Sequence, residues 1–168
     1  MGNEERNSYV KKQITSTFIN LLKQRDFADI TISQITGTAN VSRNSFYRNY
    51  TTKEDIILQY LRSLMREWEV SFAQTGSDSN AERYGSLFAH LKENGDFFML
   101  LKKQNLIHLF LTTFIELYGA KPEQDNTWAY VVSFIAYGTY GWIEEWIARG
   151  MQESAETMSA LLASQGMK

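Results

Sequence analysis

The 168-residue chain contains no cysteine and a single proline, Pro122. The missing thiols exclude disulfides, thiolate catalysis and cysteine-based zinc sites. Its two histidines, His90 and His108, lie far apart and lack metal-ligand spacing. There is no glycine-rich phosphate loop and no nucleophile elbow. Glu144 and Glu145 are adjacent, so on a helix they point about 100° apart and make a poor catalytic pair. No basic segment followed by an apolar one opens the chain, so no signal peptide is expected. The most apolar stretch, about 128–147, is interrupted by Glu144, Glu145 and glycines. That pattern predicts a buried helix rather than a membrane span. These absences point to a soluble cytoplasmic protein that is not an enzyme, carries no cofactor and does not associate with membrane.

What is present is helical periodicity. Hydrophobic residues make up 43% and charged residues 21%, a globular balance. With so few helix breakers, the fold class expected is all-α. The net charge of −2 conceals an asymmetry. Residues 1–62 carry nine Lys/Arg against six Asp/Glu, and residues 63–168 carry eight against thirteen. A basic head on an acidic body suggests that the head meets something anionic.

Val10, Ile14, Phe18, Leu21 and Leu22 fall on one helical face, predicting a first helix over about 9–23 with Phe27 packing back on it. Thr31 and Gln34 have the form of a capping box, opening a short helix to about Ala39. Asn40 accepts the left-handed backbone of a tight turn, and Ser42 caps a third helix to about Arg48. Two short helices so joined form a helix-turn-helix. Thr52 and Asp55 open a long amphipathic helix to about Ala73, followed by the polar loop Thr75–Asn80. Further helices are expected near 81–94, within 96–118, over about 128–148 and from about Ser154.

Residues 31–56 contain Ala39-x-Val41-Ser42-Arg43, Ser45-Phe46-Tyr47, Tyr50 and Lys53-Glu54-Asp55-Ile56. Here the sequence resembles the TetR family of bacterial one-component regulators, over about residues 9–60. The resemblance implies a DNA-binding head (1–52) and a helical dimerisation and effector body (53–168). The chemistry supports it independently, since Ser42 to Asn49 is rich in hydroxyls, amides and cations. The N-terminal part of a second helix meets base edges while its flanks hold phosphates. Arg43 and Asn44 are candidates for base readout, and Ser42, with Ser45, for holding backbone N–H groups toward a phosphate. Family resemblance implies phosphate contacts from Thr31, Tyr47 and Lys53. Arg48 and Asn49 either read a base or hold the backbone. Val41, Phe46 and Tyr50 are core candidates. Two departures from the family pattern stand out: Asn40 where glycine is common, and Thr36-Gly37-Thr38 in place of an alanine- and charge-rich stretch. A glycine inside a short helix costs about 0.5–1 kcal/mol.

The body holds all four tryptophans and most of the aromatics. They supply core and dimer packing, and they can also line a pocket, with Trp68, Phe88, Phe110, Phe114 and Tyr137 as candidates. The body is short for the family, which argues against a large cavity. The stretch 134–142 places Ala and Gly at 136, 138 and 141, where another helix can approach closely. The resemblance puts a homodimer interface at roughly 124–164, with Phe134, Gly138, Gly141, Trp142 and Trp146 as its candidates. A twofold dimer implies an inverted-repeat operator in double-stranded DNA. The resemblance makes repression, relieved by a small-molecule effector, the default. A body that binds a protein partner instead is the alternative.

Overall fold

The computed structural model describes residues 3–164. The outermost residues of the expected head (1–2) and body (165–168) lie outside them. The described residues form nine α-helices, one 3₁₀ turn and no strand: α1 (Asn3–Gln24), the 3₁₀ turn Phe27–Asp29, α2 (Ile32–Thr38), α3 (Arg43–Tyr47), α4 (Lys53–Ala73), α5 (Asn80–Glu93), α6 (Gly95–Lys103), α7 (His108–Tyr118), α8 (Asn126–Ala148) and α9 (Ala155–Ser164). The fold is all-α. Two compact units divide it, the first running up to Leu61 and the second starting at Arg62, so α4 contributes to both.

In the first unit, the periodic positions Ile14, Phe18 and Leu22 of α1 are fully buried. Phe27 packs edge-on against Phe18 with ring centroids 6.2 Å apart. The capping box that opens α2 is reciprocal. Thr31 Oγ1 accepts the Gln34 N–H at 3.2 Å, and Gln34 Oε1 accepts the Thr31 N–H at 2.8 Å. Helix α1 begins at Asn3 rather than near Tyr9. Its first turns carry only polar residues, so no apolar stripe marks them in the sequence. They lie beyond the part of the helix that has a core to face.

In the second unit α5 packs on α9 and α6, while α6 and α7 both pack on α8. The core between them is aromatic. Phe98 and Phe110 sit 4.9 Å apart, Phe110 and Phe114 5.8 Å, and Phe88 meets Trp146 edge-on at 5.5 Å. Such pairs add about 0.5–1.5 kcal/mol each beyond their buried area.

Three helices end by the same device. Residues Asn40, Asn105 and Gly150 adopt φ of 53°, 57° and 83° after α2, α6 and α8. The following N–H then reaches back five residues, from Val41 to Thr36 O at 3.0 Å, from Leu106 to Leu101 O at 2.8 Å and from Met151 to Trp146 O at 2.8 Å. These are Schellman closures, which satisfy carbonyls that a helix end leaves free. Lysines complete the end of α8: Lys102 Nζ donates to Ala148 O at 2.6 Å, and Lys92 Nζ donates to Met151 O and Glu153 O.

Gly37 lies inside α2, and a Cβ there would meet nothing within 4 Å. Its backbone is helical and needs no glycine. Gly37→Ala is expected to stabilise the protein by about 0.5–1 kcal/mol, read as a higher midpoint in urea with an unchanged slope.

Candidate nucleic-acid interface and body cleft

Helix α3 has five residues, too few to persist alone. Ser42 starts it, its Oγ accepting the Ser45 N–H at 3.0 Å, and the two hydroxyls share a 2.9 Å hydrogen bond. Phe46 is 0% exposed and contacts Tyr50 with ring centroids 5.7 Å apart. Tyr50 Oη in turn lies 3.1 Å from Thr15 Oγ1 of α1. Burial pushes the Tyr50 hydroxyl above the usual tyrosine value, so it stays protonated as the anchor of this contact. With Phe46 turned inward, Arg43, Asn44, Tyr47 and Arg48 are left exposed, Tyr47 at 58%. Thr31 and Ser42 are exposed beside them, and Ser45 is half-buried. Residues 30–53 carry Arg43, Arg48 and Lys53 and no acidic residue.

Three polar side chains make defined hydrogen bonds in this unit. Arg43 Nη2 donates to Ser33 Oγ on α2, which steers the guanidinium along the outer face of the helix-turn-helix. Asn49 Nδ2 donates to Ser45 O at 2.9 Å, and Asn49 O accepts from Gln59 Nε2 at 2.8 Å. That bond pair makes Asn49 the closure of α3. Lys53 departs most from the sequence reading. Its ammonium donates to Phe27 O and to Ile30 O (3.0 Å) and lies 4.1 Å over the Phe27 ring. A carbonyl cluster left by the 3₁₀ turn recruits the cation inward, because a buried carbonyl without a donor is costly. Gln59, which the sequence did not single out, also accepts from Lys11 Nζ at 3.2 Å. Nothing in its own spacing distinguishes it from any exposed helix glutamine.

In the second unit a cleft of about 220 Å³ opens among α4, α5, α7 and α8. Trp68 and Phe114 line it, as do Tyr84, Tyr118 and Trp128, with Arg83, Asn80 and Thr139 as polar lining. Phe88 and Phe110 are fully buried behind it and take no part in the lining. Tyr137 is 53% exposed and also outside it. Burial pushes the Tyr118 hydroxyl far above the usual tyrosine value, and the charge of nearby Glu69 adds to the rise.

Helix α8 has two faces. Ala136, Thr139, Tyr140, Ile143, Trp146 and Ile147 form the buried stripe. Trp128, Tyr130, Val131, Phe134, Ile135 and Tyr137 are exposed, Phe134 at 74%. Gly138 and Gly141 open onto free space, where a Cβ would meet nothing within 4 Å. Trp146 differs from the expectation for it. Its helical position belongs to the inner stripe, and its ring packs on Phe88 within the same chain. Trp142 is half-buried and borders a shallow groove with Gly141 and Leu161.

Residues 14–60 match the family described as bacterial regulatory proteins, tetR family, and residues 81–164 match a transcriptional regulator C-terminal region. The chain belongs to the TetR family. It is a DNA-binding transcriptional regulator, and the helix-turn-helix is α2 and α3. A solved structure, dihydroxyacetone kinase operon activator DhaS, is similar with a TM-score of 0.50 over 93% of each chain at 20% identity, and shares the fold. No curated protein sequence matches the chain. Among the described residues, no helix of this regulator is long and apolar enough to cross a membrane.

Arg43 and Lys53 of this TetR-family regulator are expected to separate by assay. Lys53→Gln should lower thermal stability by on the order of 1 kcal/mol, because Ile30 O loses its ammonium donor and the Phe27 carbonyl and ring lose the cation. Arg43→Ala should leave the melting curve unchanged and weaken specific DNA binding by about 1–3 kcal/mol. Equal destabilisation by both would mean that Arg43 is structural.

Proposed function

We propose that this regulator binds an inverted-repeat operator as a homodimer and represses transcription there, and that a small effector in the body cleft releases it. The observation that carries this is the division of α3. Phe46 is sealed into the head while Arg43, Asn44 and Tyr47 stand in solvent. Arg43 and Asn44 suit guanine and adenine edges in the major groove. Thr31, Ser42, Ser45, Tyr47 and Arg48 suit phosphates around them. Lys53 and Asn49 join the site through the backbone they brace. In this reading the protein works in the cytoplasm by binding alone, with the head within 1–52 and the body beyond it.

The exposed apolar face of α8 supports the homodimer. A glycine within a helix costs about 1 kcal/mol relative to alanine, and the chain's own packing asks for neither Gly138 nor Gly141. A second copy of α8 crossing there would need both. Val131, Phe134 and Trp142 flank that crossing, and Leu161 of α9 adds to it. Two recognition helices then lie about 34–36 Å apart, one DNA turn. The effector role rests on the cleft, whose wall includes Trp68 of α4. α4 begins at Lys53 beside the head, so a ligand that prefers one position of this helix shifts the population of DNA-competent dimers. A second reading, in which the body takes a protein partner, is favoured by Tyr130 and Tyr137, exposed at 72% and 53%.

Selection of random duplex DNA at physiological salt tests the head. The wild type should enrich an inverted repeat, and the Arg43→Ala/Tyr47→Ala protein should enrich nothing. Enrichment of an unpaired half-site would remove the dimeric operator. Gly138→Leu tests the interface: sedimentation equilibrium should show a folded monomer, since leucine meets open space within its own chain. A variant that remains dimeric would place the interface elsewhere.

A further inference from the structure

Of the residues lining the body cleft, Arg83 alone carries a charge. Its guanidinium lies over two rings of α4, 5.2 Å from the Trp68 centroid and 5.5 Å from that of Phe72. Among the described residues no carboxylate is within ion-pairing distance of it. A guanidinium stacked on an aromatic face keeps the N–H donors at its edge available, and their fork matches a carboxylate.

An independent observation concerns Thr139. Three threonines inside helices of this chain turn their hydroxyls onto a carbonyl four residues back: Thr36 to Ile32 O at 2.9 Å, Thr112 to His108 O at 3.1 Å, Thr113 to Leu109 O at 3.0 Å. Thr139 does not. It is 3% exposed, lines the cleft, and its Oγ1 has no hydrogen-bond partner. Leaving a buried hydroxyl unpaired costs about 1–3 kcal/mol; the other unpaired hydroxyl of the lining, on Tyr118, faces the charge of Glu69. A hydroxyl left unpaired at the wall of a cleft keeps its hydrogen-bonding capacity for a ligand that reaches it.

We propose that the cleft binds a small planar aromatic carboxylate, with its ring against the aromatic wall, its carboxylate on Arg83 and Thr139 as a second polar anchor. This inference rests on the reading of the body as an effector domain and names the chemical class of the effector. The volume of about 220 Å³ falls below the roughly 300–1,000 Å³ of drug-sized sites, so one or two fused rings fill it. One cation in a lining whose other residues are uncharged suits a monoanion, since the second charge of a phosphate dianion would stay unpaired there. An amine would face Arg83 directly. Glu69 acts on the Tyr118 hydroxyl together with Arg83, but only Arg83 belongs to the lining, so the cleft itself presents a cation.

Isothermal titration of the full chain with three matched pairs tests the assignment: benzoate and indole-3-acetate as acids, their amides, and benzylamine with tryptamine. The acids should bind at least about tenfold more tightly than the amides, the worth of one charge-assisted hydrogen bond. Arg83→Gln should erase that preference while leaving amide binding unchanged, Arg83→Lys should restore part of it, and Thr139→Val should weaken acids and amides alike. Arg83 is exposed, so its variants keep the fold, and operator affinity is the check for these and for Thr139→Val. Amides or amines that equal the acids, acid affinity that survives Arg83→Gln, or no heat from either acid into an operator-competent protein would each overturn the proposal. Operator release is scored separately. Acids that bind without releasing DNA uphold the ligand class and sink effector release, whereas release by a neutral or cationic compound alone does the reverse.

Discussion

The fully buried ring of Phe46 holds in place a helix too short to hold itself, and the reading surface of the head depends on that ring. A single turn of helix pays for nucleation without enough propagation to recover it, so α3 exists only as part of the head. Its start is capped by Ser42, its end is closed by Asn49 and Gln59, and its middle is pinned by Phe46 and Tyr50. Each of these contacts fixes rotation as well as position. Because Phe46 faces inward, the side chains at 43, 44 and 47 have no choice but to face out.

The head also shows how a cation can be spent inside a nucleic-acid-binding surface. A 3₁₀ turn leaves carbonyls that cannot continue into α2, and Lys53 collects them while lying over Phe27. Its charge still contributes to the field that DNA meets, since residues 30–53 contain no acid to offset it. Its donors, however, are committed to the fold. In the body the same economy appears at the end of α8, where Lys92 and Lys102 supply donors to the last carbonyls and the following corner.

Most of the fold was legible in the sequence, because helix starts and stops are written in short-range chemistry. Thr31 with Gln34, Ser42, Asn40 and Gly150 each announce their role through residue type alone. The first turns of α1 were not legible, having no apolar stripe. Asn105, a left-handed helix end of the same kind as Asn40, sits in no recognisable motif. The candidate DNA surface could be picked out as a segment, but not the inward turn of Lys53, which depends on a turn 24 or so residues earlier in the chain. The cleft was legible only as aromatic richness. Trp68 and Phe114 line it, yet Phe88 and Phe110 of equal hydrophobicity are sealed behind it, because periodicity says which face is inward and not where the interior stays unfilled. Arg83 and Thr139 look in sequence like any surface arginine and any helix threonine.

The placement of the tryptophans has a consequence for how this regulator can be observed. Trp68 and Trp128 border the cleft, Trp142 and Trp146 border the groove along α8 and α9, and the unit ending at Leu61 has none. Tryptophan emission is therefore blind to the DNA-binding unit, whose emitting residues are tyrosines. Any change in tryptophan emission on adding operator must arise in the body, so the native protein carries its own optical reporter of how DNA binding is felt beyond the head.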